Sequence, residues 1–246
     1  MRKRLATCAA LTLAAALAGT SMTPAAVAAP SGSKKVISHS DFSAGPGLHM
    51  VGSTAVDGMA LRLTSDTKRQ AGAAWSKMKI NPKWSFETWF DVSMTGAVGH
   101  ADGVAFVLQN DGPMEIGGHG GSIGYGGMTH SVAVEMDTFK NPNDVDNNHV
   151  ALVMHGASDE TQSMVAPSPI QMFGQDIRVR ITWNAKTKML KVRVKAMGGD
   201  EMKILEEHVD LRKALGYKKA FVGFTGGTGE DVSVQKIKNW HLKVMH

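Results

Sequence analysis

The chain has 246 residues, of which 43% are hydrophobic and 20% charged, and this composition excludes an intrinsically disordered or collagen-like protein. The formal net charge is +5, from 27 basic and 22 acidic residues, but three of the basic residues are Arg2, Lys3 and Arg4. The remaining 24 basic residues nearly balance the 22 acidic ones, so no nucleic acid or other polyanion is predicted as a partner.

The first segment has the three parts of a secretory signal peptide. The basic residues precede an apolar run, Leu5–Gly19, which is too short to cross a bilayer comfortably, and the small residues Ala26–Ala28 follow as a cleavage pattern. We therefore predict a signal peptide over residues 1–28, export of the remainder and no membrane span. Cys8 is the only cysteine and lies within this segment, so no disulfide is predicted in the exported protein.

Periodic patterns in the rest of the chain predict β-strands. Apolar and polar residues alternate in Phe86–Met94, which gives this strand one buried and one polar face. The same alternation in Ile177–Trp183 and Leu190–Lys195, on either side of a turn, predicts a hairpin. The apolar run Ala105–Leu108 is typical of a strand that is buried on both faces.

Weaker patterns complete the predicted fold. Five further strands are predicted, at Met59–Leu63, Ser131–Phe139, His149–Met154, Ala220–Phe224 and Asn239–Val244. Only Val209–Leu215 could form a turn or two of helix. Many short strands with glycine-rich connections favour an all-β fold, an antiparallel β-sandwich of the jelly-roll type. We predict one such domain over residues 37–246, preceded by a short polar lead at residues 29–36.

Metal-binding side chains are concentrated between Val132 and His149. Alternate residues of a strand share a face, so Glu135 and Asp137 are predicted to lie side by side, where their negative charges repel unless a cation lies between them. The following loop adds amide, carboxylate and imidazole groups from Asn141, Asp144, Asp146 and His149. Oxygen ligands suit Ca²⁺, and carboxylates with an imidazole suit Mn²⁺ or Zn²⁺, so two metals sharing Asp137 and Asp144 are predicted. The alternative is a polar loop without metal.

The same segment resembles the metal-binding strand and loop of the legume-type (L-type) lectins, which are sugar-binding proteins with a concanavalin A-like sandwich. Other landmarks of that family occur in the same order along the chain. These landmarks are Leu61–Thr64, Gln70–Trp75, Ala101–Leu108, Gly120–Gly124, Val222–Gly229 and Trp240. The resemblance covers nearly the whole exported chain, and it implies a secreted lectin without catalytic activity.

The resemblance also implies which residues hold the metals. A Ca²⁺ site would be formed by Asp137, the Phe139 carbonyl, Asn141 and Asp144. A site for Mn²⁺ or another transition metal would be formed by Glu135, Asp137, Asp144 and His149. We prefer Asp144 to Asp146 as the shared ligand because it precedes His149 by five residues, as in the family pattern.

A sugar site is implied beside the metals. It would be formed by Asp102, the Gly121 amide, the Phe139 ring, Asn141 and the loop around Gly227. A carboxylate accepts hydrogen bonds from two neighbouring sugar hydroxyls, amide groups add further bonds, and an aromatic ring covers the apolar face of the sugar. In the family the peptide bond before the aspartate is cis, which here is Ala101–Asp102. So small a site binds a monosaccharide weakly, which favours a homo-oligomer presenting several copies.

Some positions depart from the family pattern and favour a bacterial-like branch. Val153 stands where many plant members have an aspartate, and Asn147 and Asn148 add side-chain donors near the implied Mn²⁺ site. Gly226 and Gly227 make the specificity loop rich in glycine, so the preferred sugar cannot be inferred from the family.

Two other functions fit the same architecture. A laminarinase-like glycoside hydrolase carries carboxylates in the pattern E-x-D-x-x-E, but here Glu135 and Asp137 are followed by Lys140 in the position of the acid. An adhesion or protein-interaction module would keep the sandwich and the metals without sugar binding. Asp102 together with Asn141 argues against this module, because it would have no need of a carboxylate placed for sugar recognition.

Overall fold

The computed structural model describes residues 34–45, 47–96, 99–157 and 164–245, with the backbone alone for residues 34–36. The predicted signal peptide and its cleavage site lie outside the described residues, as does most of the predicted polar lead. The first strand already begins at Lys34, within the predicted lead. Among the described residues, no helix is long and apolar enough to cross a membrane.

Nearly all of the regular structure in the described ranges is β-strand. The strands are β1 Lys34–His39, β2 Leu48–Gly52, β3 Ala55–Asp57, β4 Ala60–Thr64, β5 Ala71–Ser76, β6 Ser85–Thr95, β7 Gly103–Gln109, β8 Ser131–Asp137, β9 His149–Met154, β10 Met164–Pro167, β11 Asp176–Asn184, β12 Met189–Ala196, β13 Met202–His208, β14 Phe221–Gly227 and β15 Val234–Met245. A 3₁₀ turn spans Gly120–Ser122, and a single helical turn, α1, spans Leu211–Ala214. The Asp210 side chain caps α1 by accepting a hydrogen bond from the Lys213 N–H.

The strands form two antiparallel sheets, which confirms the predicted sandwich. The eight-stranded sheet has the order β13-β12-β11-β6-β15-β4-β3, and β1 also pairs with β15. The seven-stranded sheet has the order β10-β9-β8-β7-β14-β5-β2. The predicted hairpin is confirmed as β11 and β12, which pair from Ile177 opposite Ala196 to Asn184 opposite Met189.

Aromatic side chains from both sheets fill the space between them. Phe86 and Phe90 of β6 face Phe106 of β7 and Phe224 of β14, and all four are fully buried. The ring centroids of Phe90 and Phe224 are 4.7 Å apart, and the Phe224 ring lies edge-on to Trp240 at 4.8 Å. Because burial of a phenylalanine side chain contributes about 1.5–3 kcal/mol, this cluster is a large part of what holds the sheets together.

A second apolar layer covers the other face of the seven-stranded sheet. Ile123, Tyr125 and Met128, from the long connection between β7 and β8, pack against Ala133 and Val153. The strands beneath this connection are therefore buried on both faces, as predicted for the centre of β7. Since alternate residues share a face, the carboxylates of β8 lie on the same side as this connection, and the candidate site forms there.

Candidate functional site

Strand pairing brings metal-binding groups of β8 and β9 together. Asp137 is the last residue of β8 and lies directly opposite His149, the first residue of β9. The loop that joins these strands adds Asp144, and one ligand atom from each of the three side chains lies within 4.8 Å of the others. Asp137 and His149 are buried. Two carboxylates and an imidazole at this spacing form a donor set that suits a divalent cation.

Asp146 contacts the histidine instead of joining this group. The Nδ1 of His149 is 2.9 Å from the Asp146 carbonyl oxygen, which can only accept a hydrogen bond. Nδ1 therefore carries the proton, and Nε2 keeps the lone pair that a metal needs. The structure thus places Asp144 in the ligand group and Asp146 behind the imidazole, where it orients the ring.

The turn after β8 is held by hydrogen bonds to the same carboxylates. Asp137 Oδ1 accepts a bond of 2.7 Å from the Phe139 N–H, and this turn ends β8 two residues before the predicted end of the strand. Asp144 Oδ2 accepts bonds from the backbone N–H and the side-chain amide of Asn141, at 2.6 and 2.9 Å. The four residues of the predicted Ca²⁺ site are therefore hydrogen-bonded in two pairs within one short segment.

Glu135 lies outside the group of three. It is buried on the same face of β8, and its carboxylate accepts a hydrogen bond from the Tyr125 hydroxyl. Sequence reasoning missed Tyr125, because nothing in the glycine-rich stretch around it indicates a contact with β8. The structure thus links the predicted transition-metal ligand Glu135 to the connection that also carries Gly121.

Asp102 is a buried carboxyl group at the start of β7. The Ala101–Asp102 peptide bond is cis, as the family resemblance predicts. The Asp102 N–H donates to the Gly227 carbonyl at 3.0 Å, and the Asp102 carbonyl accepts from the Thr138 N–H at 2.9 Å. These two bonds fix the backbone of Asp102 between the end of β14 and the turn after β8.

The Asp102 side chain has an acceptor that the described protein does not satisfy. Its Oδ2 is buried and finds no hydrogen-bond donor among the described residues, although Gly229 lies close to it, with a Cβ position 3.4 Å away. Burial raises the pKa of Asp102 to about 7; the Gly229 N–H opposes this shift, and the negative charge of Asp231 adds to it. A buried acceptor without a donor is costly, so this atom is suited to receive a hydrogen bond from a ligand hydroxyl.

Gly121 and Asn141 lie against one another beside this carboxylate. A Cβ atom on Gly121 would lie 3.3 Å from both Oδ1 and Nδ2 of Asn141. A Cβ atom on Gly229 would lie 3.4 Å from Asp102 Oδ2 and 3.5 Å from the Cα of Gly120. The structure therefore brings the predicted residues Asp102, Gly121 and Asn141 to one place, with backbone exposed by glycines between them.

Gly227 has a different place from the other predicted sugar-binding residues. It lies within β14, is buried, and pairs with Gly103 of β7 and Ala71 of β5. Its carbonyl accepts hydrogen bonds from the Asp102 N–H and from the Gln235 side chain, so Gly227 holds the backbone of Asp102 in place. The contact with the Asp102 carboxylate falls instead to Gly229. Gly229 lies in the predicted stretch Val222–Gly229, but the prediction is centred on Gly227 because the glycine-rich pattern does not show where β14 ends.

The stretch Gly120–Gly124 has the Gly-x-Ser-x-Gly spacing of a hydrolase nucleophile, with Ser122 in the central position. Such a nucleophile lies on a sharp turn between a strand and a helix. Here Ser122 ends a 3₁₀ turn, and its carbonyl accepts bonds from the Tyr125 and Gly126 N–H groups. The structure gives this serine a role in the loop and lacks the context of a nucleophile.

Comparison with known proteins identifies the family that this geometry resembles. The family model described as the legume lectin beta-barrel domain matches residues 37–241. A putative L-type lectin-domain containing receptor kinase, II.2, of Arabidopsis thaliana is 27% identical in an alignment 236 residues long, which covers 80% of this chain and 34% of that protein. The chain thus spans about a third of the length of the curated receptor kinases it matches.

Solved structures share the same fold. A peanut lectin with a nine-residue peptide has a TM-score of 0.76 at 22% identity, and the match covers 87% of this chain and 98% of the lectin. A lectin from Bauhinia forficata in complex with GalNAc has a TM-score of 0.73 at 22% identity, covering 86% and 99%. These similarities confirm the predicted jelly-roll sandwich.

Proposed function

Since the chain belongs to the legume lectin family, we propose that it is a secreted lectin that binds sugar hydroxyls at a site organised by Ca²⁺ and a transition metal. The matched domain is the carbohydrate-binding, non-catalytic domain of these lectins, and the receptor kinases match only through it. The observation that carries the proposal is Asp102, whose buried Oδ2 has no donor among the described residues. A polyhydroxylated ligand supplies the missing donor, and neighbouring hydroxyls can use both carboxylate oxygens.

The proposed sugar site combines Asp102 with three further groups. The Gly121 N–H and the Asn141 amide add hydrogen bonds, and the half-buried Phe139 ring covers the apolar face of the sugar. The contact of Gly121 with the Asn141 side chain and the position of Gly229 on the Asp102 carboxylate support this assignment. The Bauhinia forficata lectin, which shares the fold, forms a complex with GalNAc.

The metals would hold the same segment in place. Ca²⁺ would be bound by Asp137, the Phe139 carbonyl, Asn141 and Asp144, and Mn²⁺ or another transition metal by Glu135, Asp137, Asp144 and His149. The donors fit these ions, because oxygen atoms suit Ca²⁺ and a buried imidazole with carboxylates suits a transition metal. The bound cations would supply the positive charge that offsets the repulsion of the clustered carboxylates.

Export and assembly complete the proposal. We assign residues 1–28 to a signal peptide, residues 29–36 to a lead and residues 37–246 to the lectin domain, with which the start of the family match at residue 37 agrees, although β1 of the sandwich begins within the lead, at Lys34. Intact-mass measurement of exported protein should show the loss of about 28 residues. Retention of Cys8 in the exported form would contradict this assignment.

We also propose a homo-oligomer, because several weak sites in one particle raise the apparent affinity about 10²–10⁴-fold.

The departures at Val153, Asn147 and Asn148 support placing the chain in a bacterial-like branch of the family. The relatives named above come from plants. A phylogeny that places the chain among the plant lectins would contradict this part of the proposal.

A glycan array tests the sugar-binding function. We expect the protein loaded with Ca²⁺ and Mn²⁺ to bind a related set of glycans, and we expect the signal to disappear after exhaustive treatment with EDTA, because the metals hold Asn141 and Phe139. If the metal-loaded protein binds no glycan, the adhesion or protein-interaction module replaces the lectin proposal.

A further inference from the structure

Thr228 lies at a junction of three segments of the candidate site. It directly follows β14 and is fully buried. Its hydroxyl donates a hydrogen bond of 2.7 Å to the Thr67 carbonyl and accepts one of 2.9 Å from the Gln70 N–H. Its backbone N–H also donates to the Gln70 carbonyl, at 2.9 Å. These bonds attach the end of β14 to the loop of residues 65–70, which joins β4 to β5.

The backbone around Thr228 contacts two backbone segments of the proposed sugar site, at Gly120 and at Gly229. The Thr228 carbonyl accepts a bond of 3.0 Å from the Gly120 N–H, next to Gly121. The following residue, Gly229, lies against the Asp102 carboxylate, because a Cβ atom on it would be 3.4 Å from Oδ2, and its N–H lowers the pKa of that group. The Gly229 carbonyl accepts from the Arg69 N–H at 3.0 Å, so the loop of residues 65–70 contacts the chain on both sides of this N–H group.

We propose that Thr228 is a positioning residue for sugar recognition, which joins the loop of residues 65–70 to the Gly229 N–H and so directs the Asp102 carboxylate. The inference rests on the proposed function and extends it to a loop that the sequence pattern does not connect with the site. Glycine has a wide choice of backbone conformations, so the segment at Gly229 keeps one position only if its neighbours hold it.

The ion pairs at the rim cannot replace this hydroxyl. Glu230 pairs with Lys68 at 3.2 Å and with Arg69, but all three side chains are more than 60% exposed. Exposed pairs of this kind contribute little and are screened by salt. The buried Thr228 hydroxyl, with one bond donated and one accepted, is therefore the main side-chain link between the loops.

Two substitutions at Thr228 and one matched control test the proposal. Thr228→Val removes the hydroxyl and leaves the Gln70 N–H and the Thr67 carbonyl without their partner, whereas Thr228→Ser keeps both bonds. Thr88 is an equally buried threonine in the eight-stranded sheet, whose hydroxyl donates to the His241 carbonyl at 2.8 Å and accepts from the Trp240 indole at 3.1 Å. Thr88→Val therefore removes the same number of hydrogen bonds away from the site.

The glycan selected by the array is titrated calorimetrically into each variant. Because displacing Gly229 weakens the bonds of the Asp102 carboxylate, we expect Thr228→Val to raise the Kd about tenfold or more and Thr228→Ser to stay within about threefold of the parent. Thr88→Val should lower the melting temperature without changing the Kd. If Thr228→Val and Thr88→Val have equal melting temperatures and neither changes the Kd, Thr228 has only a structural role and the proposal is wrong.

Amide hydrogen exchange of Gly229 supplies a readout that needs no sugar. We expect slow exchange in the parent, Thr228→Ser and Thr88→Val, and fast exchange in Thr228→Val. Unchanged exchange in Thr228→Val overturns the positioning role. If exchange responds as expected while the parent binds no glycan, the positioning role stands and the proposed lectin function fails, so the two outcomes are distinguishable.

Discussion

Asp102→Asn should abolish sugar binding while the protein stays folded and keeps its metals. The asparagine has nearly the same shape, but it replaces one acceptor oxygen by a donor nitrogen and removes the charge. A hydrogen bond to a charged group contributes about 1.5–3 kcal/mol, so the loss of two such bonds weakens binding by about 100-fold or more. Since a monosaccharide is expected to bind with a Kd on the order of millimolar, calorimetric titration should detect no binding to the variant.

The melting temperature of Asp102→Asn is the control that shows whether the variant stays folded and still responds to Ca²⁺. The pKa of Asp102 rises from 3.8 to about 7 on folding, so between these values the folded protein retains a proton that the unfolded chain has lost. The parent therefore loses stability from this group as the pH rises toward 7, and the variant does not. Its melting temperature relative to the parent should increase over this range, and its response to Ca²⁺ should be unchanged. Binding at the strength of the parent would contradict the role of Asp102.

Asp137→Asn should remove the stabilisation of the fold by metal. Asp137 belongs to both proposed metal sites, and its carboxylate lies with Asp144 and His149 in the group of ligand atoms within 4.8 Å. A cation that binds only the folded state stabilises it by about 2.7 kcal/mol at a hundredfold excess over its Kd. For a domain of this size, such a change raises the melting temperature by about 5–10 °C. Calorimetry of the parent should show this increase with Ca²⁺, and its loss with EDTA.

Asp146→Asn is the matched control for the metal response. Asp146 lies in the same loop and contacts the Nδ1 of His149 through its backbone carbonyl at 2.9 Å, which the substitution leaves in place, and through Oδ1 at 3.3 Å, where asparagine keeps an acceptor oxygen. The variant should therefore keep the response to Ca²⁺, whereas Asp144→Asn and Asp137→Asn should lose it. A response that disappears in Asp146→Asn and persists in Asp144→Asn would exchange the roles of these two residues. An unchanged melting curve of the parent after exhaustive chelation would contradict a linked metal site.

Strands in which apolar and polar residues alternate could be predicted from the sequence, because only one face of each such strand is buried. The β6, β11 and β12 strands belong to this class, and their register in the eight-stranded sheet follows from the same pattern. Strands β1, β2, β3, β10 and β13 were not predicted, and β5 was named only as the landmark Gln70–Trp75 of the family resemblance. β3 has three residues, β10 ends in Pro167, and β13 pairs with one neighbour at the edge of the sheet, so local sequence carries little of the information that forms them.

In the candidate site, too, some contacts could be predicted from the sequence and others could not. Asp137, Asp144 and His149 come together through one strand, its loop and the next strand, so spacing along the chain predicted that this segment gathers ligands, and the family pattern favoured Asp144 over Asp146. The contacts of Tyr125 with Glu135 and of Thr228 with Thr67 join loops that no periodic pattern connects, and the latter pair is 161 residues apart. The burial that raises the pKa of Asp102 likewise depends on segments far from it along the chain.

A crystal structure of the metal-loaded protein with a glycan from the array tests the central claim most directly. We expect two neighbouring hydroxyls of one sugar ring within hydrogen-bond distance of the Asp102 carboxylate, with one of them donating to Oδ2. The Asn141 amide and the Gly121 N–H should contact the same ring. A glycan bound at another surface, with Asp102 Oδ2 still lacking a donor, would contradict the proposed site.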